Sequence, residues 1–447
     1  IVIPESETRA GRQGFSIDFN VDNQSLNRRE EFLYTLLVPE RARTLFPCFD
    51  QPDIKAHYRL SLAIPEEWEA VSNTPVTTPE YDAESWYVLD FGHTLPEGMK
   101  IVSFARTEPL STYLFSFVAG EFEARTYDDG HHRFTAYYRE TDPKRLAQLD
   151  TIFEQVAASL EWLEEYTGID YPFAKYDLII LPGFQYGGME HTGATLYNDT
   201  QMFLSENPTL DEELRRIKLI THETAHMWFG DYVTMRWFDD VWTKEVFANY
   251  FAARMAEPLF PNINHALNRI KIHTSAALSE DRTEGSTSIH QSLDNLSNAG
   301  LIYGQTIYNK APVVMDKLVE IMGEEAFRKG IQEYLTTYAY ANASWDDLVA
   351  ILDKYSDKDL AMFSDVWVNQ RGMPHIKFER KNNRLCISQS DPLGRGLHWP
   401  QSFSIDVVAD GTTTRHEVVM TDKEVVMEIA NIDYIIPNSD GRGYGLF

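Results

Sequence analysis

The stretch THETAHMWFG, residues 221–230, is the feature that most restricts the fold of this chain. A capping-box pattern begins at Thr209, and apolar residues recur at helical spacing as far as Gly230, so the segment predicts one helix. His222 and His226 are then neighbours on one helix face, because residues four apart lie one above the other. Any fold of this chain must therefore accommodate two adjacent imidazole rings.

Two imidazole rings on one helix face suit a metal ion. Each ring can bind the same cation at about 2.0–2.1 Å from a nitrogen, and neutral imidazole nitrogens are good zinc ligands. Glu223 points to one side of the pair, where a carboxylate can take a proton from water. The alternative interpretation is a pair of histidines satisfied by ordinary hydrogen bonds.

A catalytic zinc site needs a third protein ligand and an open position for water. The segment WFDDVWTKEVFANYFA, 237–252, predicts a second helix, and eighteen residues separate its Glu245 from His226. This length accommodates a turn and the start of an antiparallel helix that returns a carboxylate to the metal. We therefore predict one Zn²⁺ per chain, bound by His222, His226 and Glu245.

The amino-acid composition limits the classes of molecule that this chain is expected to bind. Asp and Glu outnumber Lys and Arg by 68 to 40, giving a formal net charge of -28, which opposes binding to nucleic acid or anionic lipid. The charge favours cationic ligands; an acidic surface that keeps the protein soluble is the simpler explanation, and both can hold. Only Cys48 and Cys386 occur, far apart, so no disulfide framework or thiolate metal site is predicted.

The 447 residues are too many for one ordinary core, and their pattern changes along the chain. Short alternating stretches such as 57–65 and 85–93 predict antiparallel strands in the N-terminal part. Helical periodicity follows, for example at 146–166 and 313–335, with a β-rich piece at 175–197 inside this region. Alternation returns after Gly372. We predict a multidomain α+β protein with a β domain at 1–124, a mostly helical domain at 125–372 and a β-sandwich at 373–447.

Three further stretches point to a known family. HETAH followed by Glu245 resembles the gluzincin metallopeptidases, and WFGDYVT with VWTKEVFANY is similar to the aminopeptidase N family among them. The segment PGFQYGGMEHTGATLY resembles the GxMEN exopeptidase motif of that family. YNKAPVVMDKL resembles its YxKG segment, and RARTLFPCFDQPDIKAHY resembles its RRAFPCFDEP stretch. The likeness extends over nearly the whole chain.

The resemblance implies a β-rich saddle domain, a thermolysin-like catalytic domain and a small β-sandwich. It also leads us to expect that the chain begins inside the first domain and ends before the helical fourth domain of many members. The implied activity is that of a zinc aminopeptidase acting on peptides with a free N-terminus. Glu223 would be the general base, and Tyr308 would stabilise the charge on the carbonyl oxygen, with Tyr303 as the alternative.

The GxMEN-like segment carries the implied exopeptidase function. Glu190 would bind the α-ammonium of the substrate, since a partly desolvated carboxylate is a suitable partner for it. Gly187 and Gly188 would let the backbone pair with an extended substrate. Tyr186 and Met189 would contact the substrate, Tyr186 in the pocket for the first side chain.

Several positions depart from the family pattern. His191 stands where Asn is usual, and we expect it to form hydrogen bonds rather than to bind metal. Leu36 and Val38 align with positions where relatives often carry Gln and Glu, so recognition of the amine would depend more on Glu190. Ala311 and Pro312 replace Gly and Ala, which predicts a different start for the helix after the YxKG-like segment.

Two other functions stay open at this stage: a zinc-stabilised peptide-binding scaffold without catalysis, and an epoxide hydrolase using the same zinc. No apolar run approaches the roughly 20 residues of a membrane span, so none is predicted. No signal peptide is visible at the N-terminus. Cytoplasmic, periplasmic and secreted locations and any oligomeric state remain compatible with the sequence.

Overall fold

The computed structural model describes residues 4–77, 95–429 and 431–447. The strand predicted at 85–93 lies outside these described residues. The described chain forms two compact units. One contains the residues up to 158 together with 171–219, and the other contains 159–170 and the residues from 220 onward.

The first unit begins with short strands and one short helix. Their bounds are β1 (Leu26–Arg28), β2 (Phe32–Thr35), α1 (Ala42–Leu45), β3 (Ser61–Pro65), β4 (Glu69–Ser72), β5 (Met99–Ser103) and β6 (Phe117–Gly120). An antiparallel sheet has the order β1-β2-β6-β4, and β3 pairs with β5. The predicted antiparallel β structure of this region is confirmed in the described part.

A five-stranded sheet completes the first unit. Its strands are β7 (Glu123–Asp128), β8 (Arg133–Tyr138), β9 (Leu178–Leu181), β10 (Gly188–Met189) and β11 (Thr195–Asn198). The order is β10-β11-β9-β8-β7, and the fully buried β9 runs parallel to both of its neighbours. The predicted boundary at 124 falls within β7, and the division into three domains stays a prediction.

Helices of the middle region begin in the first unit, and two of them continue into the second. Their bounds are α2 (Pro143–Leu146), α3 (Leu149–Thr167), α4 (Asp199–Met202) and α5 (Leu210–His226). The capping box of α5 is present, since Thr209 Oγ1 accepts from the Glu212 backbone N–H at 3.3 Å and Glu212 Oε2 accepts from the Thr209 N–H at 2.8 Å. The helix ends at His226, four residues before the Gly230 that the sequence pattern predicts.

The second unit is mainly helical before residue 370. Its helices are α6 (Val241–Leu259), α7 (His265–Arg269), α8 (Ser275–Asp281), α9 (Ala311–Met322), α10 (Glu324–Thr337), α11 (Trp345–Leu352) and α12 (Leu360–Trp367). Two π-helical turns occupy Ile270–Thr274 and Thr306–Lys310, and the parallel pair β12 (Thr234–Met235) and β13 (Asn342–Ala343) joins two loops.

One long helical pattern of the sequence is two helices in the structure. The run at 313–335 divides into α9 and α10 because Gly323 between them has a φ of 81°, a left-handed conformation that ends a helix. None of the described helices combines the length and the apolar character that crossing a bilayer requires.

Two small sheets form the C-terminal part. Their strands are β14 (His375–Lys381), β15 (Arg384–Ser390), β16 (Gln401–Ala409), β17 (Thr412–Met420), β18 (Glu424–Glu428) and β19 (Tyr434–Ile436). The sheets have the orders β14-β15-β18 and β17-β16-β19. Buried Ile376, Leu385 and Ile387 of one sheet and Phe403 and Ile405 of the other belong to one core. The predicted α+β architecture is thereby confirmed.

Candidate metal centre and active site

Aromatic packing places the C-terminal end of α5 beside α6. Just past the end of α5, the Phe229 ring lies 4.7 Å from the Phe247 ring and 4.8 Å from the Phe251 ring, measured between centroids. Trp228 donates from its indole nitrogen to the Ile169 carbonyl at 3.1 Å. These buried contacts fix the end of the histidine helix against the helix that carries Glu245.

Three potential ligand atoms converge between these helices. Nε2 of His226 lies 3.1 Å from Nε2 of His222. Oε2 of Glu245 lies 3.5 Å from the His222 nitrogen and 3.9 Å from the His226 nitrogen. Ligands that share a cation at about 2.0–2.1 Å are separated by distances of this order.

The other nitrogen of each imidazole has a partner that fixes its orientation. Nδ1 of His226 lies 3.1 Å from the Phe229 carbonyl oxygen, which can only accept, so Nδ1 carries the proton. Nδ1 of His222 lies 3.1 Å from Oδ1 of Asn249 on α6. Both Nε2 atoms therefore direct lone pairs toward each other in a buried place, an arrangement that a bound cation would stabilise. The residues present fit zinc.

The charge state of Glu245 also suits metal binding. Burial raises the pKa of Glu245, but the Lys244 ammonium, a hydrogen bond from His222 and the positive charge that each imidazole carries when it is protonated outweigh burial and hold the pKa well below its usual value. Burial lowers the pKa of His222, yet the hydrogen bond to Glu245 and the carboxylates of Glu223 and Glu245 leave it raised. The Glu245 carboxylate is therefore ionised at neutral pH, as a metal ligand would have to be.

Glu223 and Tyr308 lie on different elements of the second unit. Glu223 follows His222 directly on α5 and is almost fully buried. Tyr308 lies in the π-helical turn Thr306–Lys310, which packs against α6, and its side chain is 38% exposed. The Tyr303 ring lies 6.3 Å from the Tyr308 ring between centroids. π-helical turns occur frequently at functional sites.

The turn at Tyr308 also shows how the departure at 311–312 is accommodated. Ala311 and Pro312 begin α9 directly after the π-helical turn, with the proline near the helix N-terminus where no backbone N–H is needed. The backbone carbonyl of Tyr308 lies 3.2 Å from Nδ1 of His273.

The GxMEN-like segment lies in the first unit, at the edge of the five-stranded sheet. Gly188 and Met189 form strand β10, which, within residues 4–77, 95–429 and 431–447, pairs with β11 on one side and with no strand on the other. Tyr186 is 46% exposed and packs edge-on against Phe184. The position of β10 leaves one strand edge available for another extended chain.

Glu190 follows β10 in a buried turn that other residues hold in place. The His191 backbone N–H bonds to the Met189 carbonyl at 2.9 Å, and the Asn73 amide donates to the Thr192 carbonyl at 2.9 Å. Glu190 is 3% exposed. His191 is fully buried, and neither of its ring nitrogens has a hydrogen-bond partner among the described residues. The hydrogen-bonding role expected for its side chain is therefore wrong in the described structure, where only its backbone bonds.

Leu36 is fully buried in the first unit, and Val38 is half-buried nearby in sequence. The backbone N–H of Leu36 bonds to the Ser25 carbonyl at 2.9 Å. Leu36 thus contributes to the core, as its apolar side chain requires.

The structure thus brings His222, His226 and Glu245 together, and it presents the GxMEN-like residues at a sheet edge in the other unit. Sequence reasoning missed Asn249 and Lys244. Helical spacing could have found Asn249, because it lies four residues after Glu245 on α6. The ammonium of Lys244, which donates to Oε1 of Glu245 at 2.8 Å, had no signal beyond its position next to Glu245.

Comparison with known proteins agrees with this geometry. The chain matches the family description "Peptidase family M1 domain" over residues 151–367 and "Peptidase M1 N-terminal domain" over residues 12–114. The first of these matches covers both the helix that carries His222 and His226 and the helix that carries Glu245. The chain belongs to peptidase family M1, the aminopeptidase N family of zinc metallopeptidases.

Among curated relatives, an aminopeptidase N of Streptomyces lividans is 31% identical over 358 residues, covering 78% of this chain and 39% of the relative. A probable aminopeptidase 2 of Sulfurisphaera tokodaii is 29% identical, covering 78% of this chain and 42% of that protein. A protein named tricorn protease-interacting factor F2 of Thermoplasma volcanium is 29% identical, and the match covers 85% of this chain and 47% of that protein. The chain spans less than half the length of these relatives.

Proposed function

We propose that this chain carries the catalytic machinery of a zinc aminopeptidase, which releases N-terminal amino acids from peptides. The observation that carries the proposal is the convergence of His222, His226 and Glu245, whose outer partners direct both Nε2 lone pairs into one place. Family membership supports the same assignment. One zinc ion per chain would be held by these three residues.

Zinc held there would supply a Lewis acid for the scissile carbonyl and would lower the pKa of water. In the proposed mechanism, Glu223 accepts the proton of the attacking water and later delivers it to the leaving amine. The burial of Glu223 supports this role, since a carboxylate shielded from bulk solvent exchanges protons with what is bound beside it. The reaction needs no covalent bond between enzyme and substrate.

Tyr308 is the proposed donor to the carbonyl oxygen. As that oxygen gains negative charge, a phenol hydroxyl aimed at it stabilises the transition state more than the substrate. The exposed fraction of Tyr308 and its place on a turn packed against α6 support the choice. Tyr303 is the alternative donor.

Recognition of the free N-terminus is assigned to the GxMEN-like segment. The Glu190 carboxylate would bind the α-ammonium, and its burial makes that ion pair stronger than an exposed one. Gly187 and Gly188 would pair with the extended backbone of the peptide at the edge strand, while Met189 and Tyr186 would contact its first residue.

The test is hydrolysis of an aminoacyl p-nitroanilide by the chain. Activity should disappear with a chelator, return with Zn²⁺, and vanish when the substrate amine is acetylated. Glu223→Gln should keep zinc and lose at least about a hundredfold in kcat. Asp211→Asn, an exposed change on the same helix, is the matched control and should leave kcat unchanged.

The outcomes separate the other functions. Undiminished cleavage of the acetylated substrate would indicate an endopeptidase. If the zinc-loaded chain binds peptides without hydrolysing them, and if Glu223→Gln leaves this behaviour unchanged, the chain is a scaffold. Opening of an epoxide without peptide hydrolysis would indicate the third alternative.

A further inference from the structure

A lysine ammonium is buried inside the candidate metal centre. The Lys244 side chain is 5% exposed, and its Nζ donates to Oε1 of Glu245 at 2.8 Å. Lysine is almost never fully buried unless it is paired, because removing an ammonium from water is costly. Lys244 thus places a positive charge beside the residues that are proposed to bind a metal cation.

The two oxygens of Glu245 have different neighbours. Oε1 accepts from Lys244, whereas Oε2 faces the Nε2 atoms of His222 and His226 at 3.5 and 3.9 Å. Lys244 therefore occupies the oxygen that a carboxylate would need for binding a metal through both of its oxygens.

The fold holds the stem of Lys244 in this position. Gly230 has a φ of 132°, and a Cβ built on it would lie 3.3 Å from both Cβ and Cδ of Lys244 and 3.5 Å from Nδ1 of His226. A side chain at position 230 would crowd the lysine stem and would be in ordinary contact with the histidine ring. The Gly230 backbone thus lies close beside the lysine stem, where only a glycine leaves room for it.

The charges at the candidate metal centre indicate how Lys244 affects metal binding. When both imidazoles are neutral, as metal binding requires, the three ligands carry one negative charge, that of Glu245, and the Lys244 ammonium offsets it. A divalent cation bound by these ligands is repelled by the Lys244 ammonium in a buried, weakly screened place. Glu223, the next carboxylate along α5, is the proposed base rather than a ligand.

We propose that Lys244 restricts Glu245 to binding metal through one oxygen and lowers the affinity of the centre for Zn²⁺. This inference rests on the proposed metal centre and assigns Lys244 as its positioning residue. An open coordination position is kept for water, because the second carboxylate oxygen is prevented from filling it.

The experiment compares Lys244→Met, which removes charge and hydrogen bond, with Lys244→Gln, which keeps a donor without the charge. Zinc affinity is measured by competition with a chromogenic chelator. Both variants should bind Zn²⁺ at least about tenfold more tightly than the parent chain, because repulsion of the metal is removed. Lys329→Met, on the exposed face of α10, changes the net charge equally and should leave the affinity unchanged.

The visible spectrum of the Co²⁺-substituted chain supplies a readout independent of activity. Lys244→Met should show weaker absorption, as expected when the second oxygen of Glu245 raises the coordination number, whereas Lys244→Gln should keep the parent spectrum. Circular dichroism checks that each variant is folded, and either variant alone decides the charge effect.

If zinc binding is unchanged or weaker in both folded variants, the proposed role of Lys244 is wrong, and the proposed metal centre is unaffected. A parent chain that binds no zinc would overturn the proposed metal centre as well. Tighter binding with a parent-like cobalt spectrum in Lys244→Met would overturn the restriction to one oxygen.

Discussion

Oδ1 of Asn249 lies 3.1 Å from Nδ1 of His222, so the helix that carries Glu245 also orients the first histidine of the candidate metal centre. Glu245 and Asn249 are four residues apart on α6 and therefore share a face. A residue that fixes the tautomer of a metal-binding histidine contributes to metal affinity without touching the metal.

Replacing Asn249 by Ala should therefore weaken Zn²⁺ binding by about 10–100-fold, because the imidazole of His222 loses the acceptor that keeps its proton on Nδ1. Chelator competition measures the change. Asn298→Ala, an exposed asparagine in the same unit, is the matched control. Equal zinc affinity in the two variants would show that Asn249 does not orient the ligand.

Tyr308→Phe should lower kcat by about 10²–10³-fold with little change in KM, because the lost hydroxyl is used mainly in the transition state. Steady-state kinetics on an aminoacyl p-nitroanilide measure both constants. Tyr303→Phe removes the same hydroxyl from a ring whose centroid is 6.3 Å away and should leave kcat nearly unchanged. The reverse result would assign the role to Tyr303.

The convergence of the three proposed metal ligands could be predicted from sequence, because helical geometry alone puts His222 and His226 together and the eighteen-residue spacing allows Glu245 to return to them. The partners around them could not all be predicted. The Phe229 carbonyl is free to accept from His226 only because α5 ends at His226, whereas the apolar pattern continues to Gly230. The pattern cannot distinguish a helix from a turn that packs the same apolar side chains.

Contacts between residues far apart in the chain could not be predicted from the sequence for a similar reason. The turn after Glu190 is held by Asn73, which donates to Thr192 from a distant part of the first unit. Nothing local marks Asn73, because an asparagine in a β-rich region is ordinarily interpreted as a loop residue. The strands of the C-terminal sheets, in contrast, were predictable since period-two alternation depends only on having one buried face.

A buried ion pair should be the part of the Tyr308 turn at which a substitution destabilises the fold most. Nζ of Lys310 lies 2.9 Å from Asp281 Oδ2 and donates to the Gly372 carbonyl at 3.0 Å, and the Tyr444 hydroxyl donates to the same aspartate at 2.8 Å. Both charged side chains are at most 2% exposed. This network joins the π-helical turn to α8 and to the C-terminal segment.

Lys310→Met should lower the free energy of unfolding by about 3–5 kcal/mol, because it leaves the Asp281 carboxylate buried without its cation. Tyr444→Phe should cost only about 1–2 kcal/mol, the loss of one hydrogen bond to a charged group. Urea unfolding followed by tryptophan fluorescence measures both. The double change Lys310→Met with Asp281→Leu should cost less than the two single changes summed, and strict additivity would contradict the pairing.

Acid should destabilise the first unit through His191. Burial lowers the pKa of His191 from 6.5 to about 4, although the neighbouring Glu190 charge opposes the shift. Between these two values the unfolded chain binds a proton that the folded chain does not. The contribution of the neutral histidine is therefore fully present above about pH 6.5 and is lost as the pH falls toward 4.

His191→Asn removes this titration. Between about pH 7 and about pH 4.5, the parent chain should lose about 2–3 kcal/mol more unfolding free energy than the variant. Urea unfolding of both proteins at the two pH values gives the difference. His131→Asn, at an exposed histidine of the same unit, should keep the parent's acid sensitivity. Parallel pH profiles for the parent and His191→Asn would mean that His191 finds a proton acceptor in solution and is protonated in the folded state.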